Sequence, residues 1–164
     1  ANLVYKQRIA GILGGRMDIS KLMNENLVVL DLQGNDKMSV IEELVNVLDK
    51  EGRLLDKDAY FKDVLKREEV ASTAVEMGVA IPHGKSSGVK EPSLAFGRCK
   101  NGIDFDSMDG NKTDLVFLIA VPENSDDTHI RILTKFARKL MHDEFRDGLR
   151  NAVSSAEIIE LLNN

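Results

Sequence analysis

Cysteine is the scarcest chemistry in this 164-residue chain: Cys99 stands alone, so an internal disulfide is excluded and a reducing compartment fits. No apolar stretch approaches the roughly 20 residues of a membrane span, and no charged segment followed by an apolar one marks a signal peptide. A cytoplasmic protein that does not insert into membrane is therefore expected. Basic residues are too scattered to track a nucleic-acid backbone, since 22 Lys and Arg face 27 Asp and Glu for a net charge of -5. Walker and dinucleotide-binding glycine patterns are missing, as are internal repeats and low-complexity tracts. What is left, 43% hydrophobic and 30% charged, suits one globular domain with a single core.

Residues 1–16 contain no acidic residue and end in Gly14-Gly15-Arg16. They read as an N-terminal extension, either a short helix or linker or a translated ribosome-binding stretch ahead of a start at Met17. Residues 17–164 read as the domain. Within it Asp18 to Met23 forms a helical turn, and Leu27 to Asp31 is a β-branched apolar run, hence a strand. A helix opens at Asp36 or Ser39, buries Ile41, Leu44, Val45 and Leu48, and stops at Gly52. A second carries Tyr60, Phe61, Val64 and Leu65 on one face and ends near Arg67. Ser93 to Arg98 alternates as a strand, and Ile103 to Asp114, with Asp109-Gly110 inside it, reads as a hairpin into another. That last strand, Leu115 to Val121, is apolar throughout and belongs in the middle of a sheet covered on both faces. Asp126 or Asp127 caps a helix with apolar positions Ile130, Leu133, Phe136, Ala137 and Leu140, which puts His129 in its first turn. A helix over Glu144 to Asn151 follows, and Ser154 with Glu157 reads as the capping box of a terminal helix through Leu162. Alternating strands and helices predict an α/β sandwich.

The stretch MGVAIPHGKSS, Met77 to Ser87, is where chemistry concentrates. Val79 to Ile81 is a short strand stopped by Pro82, so His83 stands at its tip on a Gly-flexible loop, with donors at Lys85, Ser86 and Ser87 that suit an anion. His129, at a helix N-terminus, is placed where free N–H groups and partial positive charge favour the same ligand. Neutral imidazole is available near neutral pH as a nucleophile, and phosphoryl transfer asks mainly for positioning and spread positive charge, for which Arg67 is the candidate.

These residues resemble a known family. Arg67-Glu68-Glu69 through Ser72-Thr73, Gly78-Val79-Ala80-Ile81-Pro82-His83-Gly84, Asp114 to Pro122, and His129-Ile130-Arg131-Ile132-Leu133 are similar to the EIIA domain of the fructose/mannitol type in the bacterial sugar phosphotransferase system, over roughly Met17 to Leu162. The resemblance implies a three-layer α/β/α sandwich around a mixed sheet. It also implies that His83 accepts a phosphoryl group from the phosphocarrier HPr and gives it to an EIIB domain. His129 would orient the phosphorylated ring and Arg67 would hold phosphate oxygens, with Ser72, Thr73 and Gly84 as further phosphate-contact candidates. No cofactor or metal is implied. The alternative is a nitrogen-regulatory EIIA-like protein, whose His83 phosphorylation state governs a partner.

Other residues read more plainly. His142 falls on the charged side of a helix and is expected to be exposed. Cys99, between Arg98 and Lys100 at a strand end, lacks the Gly/Ser-rich loop that cradles a phosphocysteine. Asp104, Asp106 and Asp109-Gly110 hint at a calcium loop, but the glycine falls one position late and no glutamate closes the register. A metal site from His83 and His129 lacks a third ligand at fixed spacing.

Overall fold

In the computed structural model, residues 19–125 and 128–163 are described, with the side chains of 128–130 outside that description. The reading of residues 1–16 and the capping role of Asp126 or Asp127 fall outside the described residues.

Five strands form one mixed sheet: β1 (Val28–Val29), β2 (Val79–Ala80), β3 (His83–Ser86), β4 (Ser93–Ile103) and β5 (Thr113–Pro122). The order is β1-β4-β5-β2, with β3 also paired to β5. Only β4 and β5 run antiparallel; β1 is parallel to β4, and β2 and β3 are parallel to β5. Leu115 through Val121 are all 0% exposed, so both faces of β5 are covered, as the unbroken apolar run requires.

The described helices are α1 (Ile19–Leu22), α2 (Lys37–Lys50), α3 (Lys57–Val70), α4 (Thr128–Leu140), α5 (Asp143–Asn151) and α6 (Ser155–Asn163). Helices α2 and α3 pack on each other and on β3, β4 and β5, while α4 packs on β5 and leads through α5 and α6 back to β1, which completes a three-layer α/β/α sandwich. The core between sheet and second helical layer is aromatic: Phe117 stacks on Phe136 of α4 at 5.5 Å and meets Phe96 of β4 at 5.0 Å.

Local chemistry sets the helix ends. Asp36 accepts from the Ser39 N–H while the Ser39 hydroxyl accepts from the Asp36 N–H, a full capping box, and Gly52 leaves α2 in the left-handed region at φ +73°. Those bonds from Ser39 hold the Asp36 carboxyl below its ordinary range. At α6 the Glu157 N–H donates to Ser154 Oγ (3.2 Å), but the Glu157 carboxylate accepts from Val153 N–H (3.3 Å), one residue before the expected capping-box partner.

Several expectations change. The LVVLD strand pairs only at Val28 and Val29, and β4 runs on to Ile103 through a register shift after Arg98. His142 is exposed but sits at the N-cap of α5, in the break after α4, rather than on a helix side. The largest change concerns His83: the residues after it are a strand, not a loop. Val79 pairs with Leu115 and His83 with Ile119 in one running register, so β2 and β3 are a single strand line interrupted only at Ile81 and Pro82. Proline has no N–H to give the ladder, yet its carbonyl still accepts from Ile119 N–H at 3.0 Å, which keeps the register intact across the gap.

Candidate functional site

His83 is the first residue of β3, half-buried, and its Nδ1 lies 2.9 Å from the carbonyl oxygen of Ile81. A carbonyl can only accept, so Nδ1 carries the proton and the neutral ring holds its lone pair on Nε2. Backbone geometry thereby selects one tautomer. The rigidity comes from β5: with His83, Gly84, Lys85 and Ser86 paired to Ile119, Ala120, Val121 and Pro122, the ring is mounted on the central sheet.

Helix α3 lies across this strand. Tyr60 is fully buried and its hydroxyl donates to the Ile119 carbonyl at 2.7 Å, opposite His83 in the register; burial pushes this phenol well above its ordinary range. A methyl group at Gly84 would come within 2.9 Å of Val64 Cγ2, so this glycine is where the helix presses on the strand. Gly84 is buried beneath α3. One turn beyond Val64 comes Arg67, half-exposed, with Nη1 donating to the Ala71 carbonyl at 2.8 Å.

The turn after α3 returns to the strand before His83. The Thr73 carbonyl accepts from Ile81 N–H at 3.0 Å, so the segment that Arg67 braces is bonded directly to the residue whose carbonyl fixes the imidazole. Ser72 Oγ donates to the Phe105 carbonyl (2.5 Å) and accepts from Ala74 N–H (3.1 Å), and Thr73 is buried with its hydroxyl on Glu68. Both act here as turn formers. Ser86 is buried and accepts from Gly88 N–H, whereas Lys85 and Ser87 are exposed. His129 belongs to the first turn of α4, just after β5, and its side chain lies outside the described residues.

Cys99 is 4% exposed and its thiol is pushed up to about 11, by burial first and by the Glu43 and Asp114 carboxylates next, so it stays protonated and inert. Asp109 accepts from Ser107, from Asn111 and from Met77 N–H, bonds that lower its pKa and close the hairpin turn.

Sequence reasoning missed Glu68 and Lys37. Glu68 is 8% exposed, takes both Thr73 donors, and pairs with Lys37 Nζ at 2.7 Å. The available signal was its place four residues after Val64 and eight after Tyr60, a charge on the apolar face of a helix.

The chain matches the family described as "Phosphoenolpyruvate-dependent sugar phosphotransferase system, EIIA 2" over residues 21–164. It is 41% identical to the "PTS system fructose-specific EIIABC component" of Bacillus subtilis, over 90% of this chain and 23% of that protein, and so spans about a quarter of that relative. It is 37% identical to the "PTS system fructose-specific EIIA component" of Haloferax volcanii, over 88% of this chain and 94% of that one. Among solved structures, the nitrogen regulatory protein IIA-Ntr of Neisseria meningitidis superposes with a TM-score of 0.78 at 31% identity, covering 88% of this chain and 98% of that one. The Escherichia coli complex of enzyme IIA-mannitol with phosphorylated enzyme IIB-mannitol matches with a TM-score of 0.74 at 26% identity, over 87% and 96%.

Fold and matched sequence define a protein of the sugar phosphotransferase class, built as a mixed sheet between two helical layers. Within that class the chain belongs to the EIIA 2 family. No helix among the described residues is long and apolar enough to cross a membrane.

Proposed function

We propose that this chain is a cytoplasmic phosphocarrier in which His83 Nε2 takes a phosphoryl group from the phosphohistidine of HPr and passes it to an EIIB domain for uptake of a sugar of the fructose/mannitol type. The observation that carries the reading is the bond from Nδ1 to the Ile81 carbonyl at 2.9 Å. It leaves the lone pair on Nε2, so attack on phosphorus needs no proton removed first. In the step, the P–N bond of the donor imidazole breaks as the bond from phosphorus to Nε2 forms, and the donor ring recovers its lone pair. The His83 ring becomes cationic, and its Nδ1–H bond to a carbonyl strengthens as it does. That bond stabilises the charged product and then supports the ring as a leaving group for the onward transfer.

Arg67 supplies the spread positive charge. Its guanidinium, now on the Ala71 carbonyl, turns to the phosphoryl oxygens, and His129 donates from the helix N-terminus. Docking is by a modest apolar surface: Val75, Met77 and Met141 are exposed and line a groove with Ile81, two residues from the imidazole. The fructose-specific relatives favour uptake. The likeness to the Neisseria nitrogen regulatory protein supports a second reading, in which the phosphorylation state of His83 controls a partner protein.

Incubation with phosphoenolpyruvate, enzyme I and HPr is expected to label the chain in acid-labile form. His83→Ala abolishes the label, and His129→Ala slows its appearance. Label that survives His83→Ala refutes the site. Transfer onward to the cysteine of an EIIB domain from the same operon separates uptake from regulation.

A further inference from the structure

Glu68 is badly placed if stability alone is considered. It lies in the last turn of α3, where the helix dipole disfavours negative charge, and with 8% of the residue exposed its carboxylate has lost most of its water. What it gains is a set of partners from two segments. Lys37, the first residue of α2, brings Nζ to 2.7 Å from Oε2; Thr73 donates its N–H to the same oxygen at 3.2 Å and its hydroxyl to Oε1. Lys37 is in turn held over the Phe105 ring, 5.0 Å from its centroid, and 3.5 Å from the exposed carboxylate of Asp106. From Thr73 the bonds continue toward the imidazole. The Thr73 carbonyl accepts from Ile81 N–H at 3.0 Å, and the Ile81 carbonyl accepts from His83 Nδ1–H at 2.9 Å.

We propose that the Lys37–Glu68 pair positions His83, by anchoring Thr73 and through it the Ile81 peptide that selects the imidazole tautomer. The inference deepens the phosphoryl-transfer reading and rests on it for its kinetic readout. The need for such an anchor follows from Arg67. This residue braces the same turn through the Ala71 carbonyl at 2.8 Å, and it gives that bond up when its guanidinium moves onto a phosphoryl group. Glu68 then keeps its hold on the turn at Thr73, beside the Ser72 hydroxyl on the Phe105 carbonyl. A buried, charge-compensated carboxylate does this without leaving its site, because it has no other partner to reach for and no water to return to. Arg67 is thus free to move while the imidazole it serves stays still.

The test uses the full chain and two readouts. Long-range proton–nitrogen NMR of the unphosphorylated protein reads the His83 tautomer; the rate of transfer from phospho-HPr reads the function. Glu68→Gln is expected to convert a single Nδ1–H tautomer into a mixture and to lower kcat by about 10- to 100-fold with KM for phospho-HPr unchanged, the scale of a small misplacement of a reacting group. Thr73→Val, which leaves the ion pair in place, follows it in both. The double variant Lys37→Met/Glu68→Gln, which removes the buried pair together, recovers thermal stability without recovering the tautomer. Glu68→Gln and Thr73→Val proteins that keep both tautomer and rate overturn the inference, as does a tautomer shift without a rate change or a double variant that recovers everything. Should Glu68→Gln fail to fold, Thr73→Val decides alone. Failure of the wild-type chain to accept phosphate sinks the proposed function instead, and the tautomer comparison still stands.

Discussion

At Gly84 an added methyl group would lie 2.9 Å from Val64 Cγ2 and 3.1 Å from Tyr60 Cε1, two side chains that are 0% exposed and have nowhere to retreat. Gly84→Ala is therefore expected to lift α3 off the strand and destabilise the chain by about 1–3 kcal/mol, read as a fall in the urea midpoint. Transfer should slow as well, because the neighbouring His83 moves with the strand. A midpoint equal to wild type would show that the contact has slack. In the sequence this glycine reads as a flexible loop residue after the histidine. Its actual reason lies some twenty positions earlier, in side chains no local pattern connects to it. Glu68 was hidden in the same way, because a charge near a helix end is usually solvated. His83 itself was legible, since a histidine between Pro82 and Gly84 has few structural reasons to be there.

Among the elements, α5 shows how a short helix is fixed to the sheet. Arg98, on β4, donates from Nη1 to the carbonyls of Leu149 (3.0 Å), Arg150 (3.0 Å) and Ala152 (2.8 Å), and from Nε to Leu30 (3.2 Å). The last carbonyls of a helix have no intrahelical partners, and a cation there also meets the negative end of the dipole. Arg98→Met is expected to cost about 2 kcal/mol, the scale of hydrogen bonds to a charged group, and to raise amide exchange at residues 149–152 while β5 stays protected. Unchanged exchange in that segment would rule the staple out. Helix α5 itself was readable from its composition, but its anchor was not, because strand and helix meet only after the sheet is built. Strand β3 makes the same point: His83 to Ser86 carries no apolar run, and only pairing with β5 makes it a strand.

For the whole molecule, burial couples titration to folding. The Cys99 thiol is raised from an ordinary 9.0 to about 11, chiefly by burial. Between those values the unfolded chain has lost a proton that the folded chain keeps. Stability is thus fully present below pH 9.0, falls as pH rises through the window, and levels off above about 11. Tyr60, raised by burial, adds the same sign at the upper end. Urea midpoints at about pH 8 and about pH 10.5 should show the loss, and Cys99→Ala should flatten it relative to wild type; equal slopes would place the titrating group elsewhere. The sequence by itself determined the alternation of strands and helices, the doubly covered β5 and the candidate histidine between Pro82 and Gly84, because hydrophobic period and the Pro-His-Gly pattern are local. Only the tertiary structure decided which imidazole nitrogen keeps the lone pair, that His83 begins a paired strand, and that a buried carboxylate anchors the turn behind it. Those depend on carbonyls, side chains and ladder partners contributed by segments far apart in the chain, which meet only when the sheet closes.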